Sequence, residues 1–250
     1  MIRIIFSNLV CLLAVCSCSS VGVHSVHTKP VALRSAPTRI WVERFSAPPA
    51  AFQLGDRSAS EKRTLRDEIV TNLARSTAGQ LRSHAADSSV LGSGGKVSPG
   101  AWLVRGEIRK VDQGSRALRA GIGLGVGRTE MRTSVSVFKV TGEGLVPLLR
   151  FKTTGNSGME PGVALGIATG GVSTAFTAAS AAGTLLMSSL PGVSSDIDRT
   201  SYEIAAVLSV YLQQNGLLGP SRIPIQPHMR GQLPTTINLN RSIPAPLRAQ

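Results

Sequence analysis

Leu65, Ile69, Leu73, Thr77 and Leu81 recur every fourth residue, and Val70, Ala74 and Ala78 widen the same stripe. That spacing predicts an amphipathic helix with one apolar and one basic face, and such a stripe is stable only against a core built from other segments. Ser58 followed three residues later by Glu61 has the spacing of a capping box, which sets the helix start near Ala59. Strand patterns surround it. Arg39 to Phe45 is a short β-branched and aromatic run ended by Pro48-Pro49, and from Ala101 to Val111 the residues Trp102, Val104, Gly106 and Ile108 alternate with Leu103, Arg105, Glu107 and Arg109. Thr129 to Val140 forms another strand, and Thr141-Gly142-Glu143-Gly144 supplies a hairpin turn into a return strand from Leu145 to Thr154, where Pro147 favours a sheet edge. A last helix is expected from Asp196 to Gln214, with Ile197, Ser201, Ile204, Ala205, Leu208, Tyr211 and Leu212 on one face. Asn215-Gly216 stops it, and Asp196 and Asp198 are expected in its first turn, where the helix dipole favours negative charge.

The N-terminus reads as an export signal. Arg3 precedes an apolar run from Ile4 to Val15, too short to cross a bilayer as a matter of course, and a small-residue cleavage region follows. The run Val15-Cys16-Ser17-Cys18 resembles the lipobox of bacterial lipoprotein signals, in which a small residue precedes the acylated cysteine. Cys18 fits that pattern, because Cys16 would require Val15 at the small-residue position; Cys16 is the alternative site. The resemblance implies residues 1–17 as a signal peptide and covalent diacylglycerol and fatty acyl lipid on Cys18, and it adds no other cofactor. Ser19 is not the Asp that retains lipoproteins in the inner membrane of well-known Gram-negative systems, which implies an outer-membrane anchor with the domain facing the periplasm. Removing residues 1–17 leaves Cys18 as the one cysteine, so the mature domain must be stable without a disulfide.

Residues 18–38 hold Ser, Val, His and Pro without a clear period and are expected to form the lipidated tether. A single domain is expected over residues 39–219, and from Pro220 onward six prolines, Arg222, Arg230, Arg241 and Arg248 and no acid suggest a disordered basic tail, residues 220–250. Lys and Arg total 27 against 14 Asp and Glu, a net charge of +13, or +12 once Arg3 is removed with the signal. Such an excess favours anionic partners. No basic cluster is interleaved with base-stacking aromatics, so anionic envelope components and acidic proteins fit better than nucleic acid.

The chemistry of catalysis is hard to place on this chain. His24, His27, His84 and His228 are scattered, with three in segments expected to be flexible, and no metal-ligand spacing or nucleophile motif occurs. The expectation is a non-enzyme with no metal site. The most distinctive internal stretch runs from Gly114-Ser115-Arg116 through Arg119 to Gly121-Ile122-Gly123-Leu124-Gly125-Val126-Gly127. A dinucleotide fingerprint needs a different glycine spacing and a helix directly after it, whereas a strand follows here. Strict alternation places the glycines on one face of an extended segment, where another chain can approach closely; Arg116, Arg119, Gly121, Gly123 and Gly125 therefore form a candidate interaction motif.

Through Gly106-Glu107-Ile108, Asp112, Gly114-Ser115-Arg116, Arg119 and the glycine run, the chain resembles a family of bacterial envelope lipoproteins, the domain of unknown function 4410. More distantly, the order strand, helix, strands, helix is similar to curli-secretion lipoproteins and to lipoprotein activators of peptidoglycan synthases. These resemblances imply an α/β fold, two principal helices packed on a mixed, mainly antiparallel sheet, and protein partners rather than substrates.

An uncharged, small-residue insertion, residues 161–195, completes the chain. Gly162, Gly166 and Gly170 recur at four-residue spacing, which lets helices pack closely in oligomers or membranes. Abundant Ser, Thr and Gly keep its hydrophobicity modest, so a buried or oligomer-facing insertion is favoured over membrane entry. The function expected from the sequence is a non-catalytic, lipid-anchored envelope protein that binds another envelope protein or an anionic envelope component, with self-assembly into a homo-oligomer open to it. The alternative is an oligomeric outer-membrane pore or export subunit.

Overall fold

A computed structural model of the protein describes residues 21–114, 129–157 and 190–229. Among these residues the chain forms one mixed sheet of seven strands, mostly antiparallel, with two long helices packed together on one face. The strands are β1 (Val21–Thr28), β2 (Ile40–Val42), β3 (Phe52–Gln53), β4 (Ser88–Val90), β5 (Trp102–Asp112), β6 (Thr129–Thr141) and β7 (Gly144–Ser157), and the helices are α1 (Ala59–His84) and α2 (Pro191–Gln214). The strand order is β1-β7-β6-β5-β2-β4, and β3 pairs with β5 further along the lane that β2 occupies. Ser46 bridges Glu107 between them, so residues 40–53 form one interrupted strand parallel to β5, broken where Pro48-Pro49 enters a single 3-10 turn.

The capping box is present as expected: Ser58 Oγ accepts from the Glu61 backbone N–H at 3.3 Å, and Glu61 Oε2 accepts from the Ser58 N–H at 2.9 Å. These Ser58 bonds hold the Glu61 carboxyl below its ordinary pKa. All eight residues of the α1 stripe are buried. Between α1 and α2 the Ser76 and Ser201 hydroxyls meet at 2.7 Å, and small side chains at this crossing let the two helices approach. Under the helices, Trp102 lies 5.9 Å from the Tyr211 ring, ring centre to ring centre, in a core continued by Val104, Ile108, Met131, Val135 and Phe151. Thr133 and Thr153 face one another across β6 and β7 and share a 2.7 Å hydrogen bond, which satisfies two buried hydroxyls at once.

Four sequence expectations change. Residues 18–38 are not a plain tether, because β1 begins at Val21 and pairs antiparallel with β7. Val21 and Val23 are buried, but a register shift between His24 and His27, with Ser25 at φ 54°, breaks the alternation and hides the strand from a period-two reading. Pro147 does not mark an edge strand, since β7 lies between β1 and β6. It falls beyond the last β1 partner, Leu149, and beside the register shift at Val137/Phe138, in a stretch of β7 that has β6 alone as its ladder partner.

The last helix starts at Pro191, with proline in its first turn, so residues 191–195 of the expected insertion belong to α2. Asp196 and Asp198 consequently lie beyond the first turn. Asp196 is buried and accepts a 2.8 Å hydrogen bond from Thr129 Oγ1, which ties α2 to β6. The fourth change concerns the tail. Residues 220–229 run back over α2 as a strap: Ile225 N–H donates to Ser209 Oγ at 3.1 Å, Arg222 meets Asp87 at 2.9 Å, and Val23 N–H donates to the His228 carbonyl at 2.7 Å. Ile225 and Met229 pack on the core, and Ala206, Val207 and Val210, off the expected face of α2, are buried as well.

Candidate functional site: the helix-free face of the sheet

Because both helices cover one face, every second residue of β5, β6 and β7 projects from the other. The register aligns them in rows. Trp41, Leu103 and Phe138 form an apolar row at one end, with Arg39 stacked 5.3 Å above the Trp41 ring and Arg105 5.6 Å above Phe138. The next row runs Arg105, Ser136, Arg150, and the one after it Glu107, Ser134, Lys152, His24. Beyond a register shift at Ile108/Lys110 come Lys110, Arg132 and Thr154.

The two middle rows, with Arg132 and Thr154 of the last, line an open groove of about 640 Å³. Its wall holds six cationic side chains, Arg44, Arg105, Arg109, Arg132, Arg150 and Lys152, against two carboxylates, Glu43 and Glu107. Four of the six are already paired. Arg105 grips Glu43 through Nε at 2.7 Å and a terminal nitrogen at 2.9 Å, a two-pronged contact that raises the guanidinium pKa further. Arg109 meets Glu107 at 2.5 Å, Arg44 meets Asp67 at 3.1 Å, and Arg132 meets Glu130 at 2.5 Å. Glu130 also takes Lys110 at 2.6 Å; burial pushes its carboxyl up, but the hydrogen bonds from Lys110 and Arg132 outweigh that and hold it below the ordinary range.

Arg150 and Lys152 differ from the others. Arg150 Nε donates to Ser136 Oγ at 3.1 Å, and among the described residues neither cation meets a carboxylate. They stand two apart on β7, opposite Ser136 and Ser134 on β6, so two uncompensated charges and two hydroxyls share one patch of the groove floor.

The sequence pointed elsewhere. Cys18, Arg116, Arg119, Gly121, Gly123, Gly125, Gly162, Gly166 and Gly170 all lie outside the described residues. His228, expected in a flexible tail, is instead held in the strap, where its backbone N–H donates to Glu203 Oε2 at 2.8 Å and its ring meets Glu203 Oε1. No group of three His, Cys, Asp or Glu side chains able to hold a metal occurs among the described residues, and no helix among them is long and apolar enough to cross a membrane. The groove was signalled only by the polar halves of the alternating strands, which a sequence shows equally for any solvated sheet face.

The solved structures to which this chain is similar include two of PelC dodecamers from Paraburkholderia phytofirmans. The one in space group P6 is 9% identical, with 56% of this chain and 86% of that chain covered and a TM-score of 0.37. A single-substitution variant in space group C2 is 12% identical, with 55% and 85% covered and a TM-score of 0.34. No curated protein matches in sequence. A family model described as a domain of unknown function, DUF4410, matches residues 40–174, from β2 through β7 and ending before α2. With more than half of its length matched, the chain belongs to the DUF4410 family.

Proposed function

We propose that this protein is a non-catalytic, lipid-anchored component of the bacterial cell envelope that binds an anionic envelope component on the helix-free face of its sheet. The observation that carries the reading is the groove, where six cations face two carboxylates and Arg150 and Lys152 have no acidic partner among the described residues. A positive concave surface concentrates negative ligands through long-range attraction. The net charge of +12 on the processed chain adds to the same field. The lipobox at Cys18 supplies the anchor, and an anchored domain meets its ligand at high local concentration.

Two measurements test the two halves of this reading. Mass spectrometry of the mature N-terminal peptide is expected to show a chain beginning at Cys18 and carrying acyl lipid; an unlipidated start at another residue overturns the anchor. A chain starting at residue 19, which lacks the acyl anchor that would enter any micelle, is expected to bind mixed micelles containing an anionic lipid and not neutral ones. Affinity should fall at least about tenfold between 0.1 and 1 M salt, as the screening length contracts from about 10 Å to about 3 Å. Salt-insensitive binding, or equal binding to neutral micelles, overturns the electrostatic reading.

A further inference from the structure

We propose that Arg150, Lys152, Ser134 and Ser136 form a subsite for a phosphomonoester group. The inference rests on the groove being the binding face and specifies what that face takes.

Arg150 and Lys152 lie at positions i and i+2 of β7, so both project from the open face with backbones about 7 Å apart along the strand. Their long side chains span that distance easily. Directly across from them in register stand Ser136 and Ser134, two residues apart on β6. Ser136 already accepts from Arg150 Nε at 3.1 Å, which fixes the guanidinium over the β6 side of the groove and leaves its terminal N–H groups for a ligand. Among the described residues the Lys152 and Ser134 side chains make no hydrogen bond or ion pair with each other or with a neighbour, so an ammonium with three donors and a hydroxyl with one are available beside it.

The charge count selects the ligand. A carboxylate or a phosphodiester brings one negative charge and leaves one of the two cations unmatched. A phosphomonoester brings about −1.5 to −2 at neutral pH and three acceptor oxygens. It can take a two-pronged contact from Arg150, the Lys152 ammonium and the serine hydroxyls together. The remaining cations of the groove are committed to Glu43, Glu107, Asp67 and Glu130, so they frame the subsite without competing for its ligand.

The test titrates the full chain in neutral detergent with three probes: inorganic phosphate, short-chain phosphatidic acid and short-chain phosphatidylglycerol of the same acyl length. Phosphatidic acid is expected to bind at least about fivefold more tightly than phosphatidylglycerol, which presents only a diester. Arg150→Gln and Lys152→Gln should each remove that preference, whereas Arg75→Gln on α1 should leave it intact. Inorganic phosphate competing as well as phosphatidic acid supports the subsite and assigns recognition to the phosphate alone; competition by phosphatidic acid only supports it with the lipid as the source. Equal binding of monoester and diester overturns the phosphomonoester assignment while the anionic face stands. Binding of none of the three overturns the anionic reading of the face as well.

Discussion

Gly106→Ala should destabilise the domain by about 3 kcal/mol, near the upper end of what overpacking a core position causes. A β-carbon built on Gly106 stands 2.0 Å from Phe45 Cε1 and 2.1 Å from Cδ1, well inside contact distance. The ring cannot swing away, because Phe45 is buried and its neighbour Ser46 is bonded to β5 on both sides: Ser46 N–H donates to the Gly106 carbonyl, and Ile108 N–H donates to the Ser46 carbonyl, each at 2.8 Å. The aromatic ring therefore lies on bare backbone, filling the place of the missing side chain. Phe45→Ala should itself lose about 3 to 5 kcal/mol through the cavity it leaves. In that background the alanine at 106 has room, so the double variant should be more stable than the sum of the single losses by at least about 1 kcal/mol. Urea denaturation of the four chains measures this, and strict additivity would contradict the packing described.

The second large effect is expected at the strap. Glu203 is buried, and burial raises its carboxyl pKa above the ordinary 4.5, against the two hydrogen bonds from His228, which lower it. For an acid raised in the folded state, the protonated form is the one that stabilises the fold. That contribution is complete below pH 4.5 and is lost as pH rises through the higher folded value. His228→Ala removes the ring that faces the ionised carboxylate and leaves only the backbone N–H, so the folded pKa climbs further and the loss continues to higher pH. The variant should be destabilised by about 2 kcal/mol at pH 7, the scale of a hydrogen bond to a charged group, and by much less near pH 4, where Glu203 is protonated. A denaturation series across that window checks the sign. A destabilisation that is constant with pH would mean that His228 acts through packing alone.

The strap also shows where sequence reasoning ran out. A helix start is a local matter, and Ser58 with Glu61 marked it within one residue; the α1 stripe and the β6–β7 hairpin are likewise written in neighbouring residues. Residues 220–229 are held by long-range partners instead, Glu203, Ser209, Asp87 and Val23, and proline-rich composition argued for the opposite state. β1 was missed for a different reason, a single irregularity at Ser25 that shifts Val26 out of phase with Val21 and Val23.

The candidate site was the least legible part. Arg105, Ser136 and Arg150 are 14 to 45 residues apart in sequence, and only the antiparallel register sets them side by side. Each looks like an ordinary solvated residue when read alone. The motifs that stood out instead, the alternating glycines at Gly121, Gly123 and Gly125 and the spaced Gly162, Gly166 and Gly170, lie outside the described residues. What makes the groove informative is a difference that no sequence displays: which cations are already matched by a carboxylate and which two are not.

On the proposed reading the helix-free face, through Arg150 and Lys152, is where the anionic ligand binds. The most direct measurement compares two charge-reversed chains in the same micelle-binding assay, Arg150→Glu with Lys152→Glu in the groove, and Lys62→Glu with Arg63→Glu on the exposed side of α1. All four positions are exposed, and both pairs change the net charge equally, so any loss through overall field strength is the same in the two chains. The groove pair is expected to lose at least about tenfold in affinity and the helix pair less than about twofold. Equal losses from the two chains would contradict a defined binding face and leave only the diffuse attraction of a basic protein.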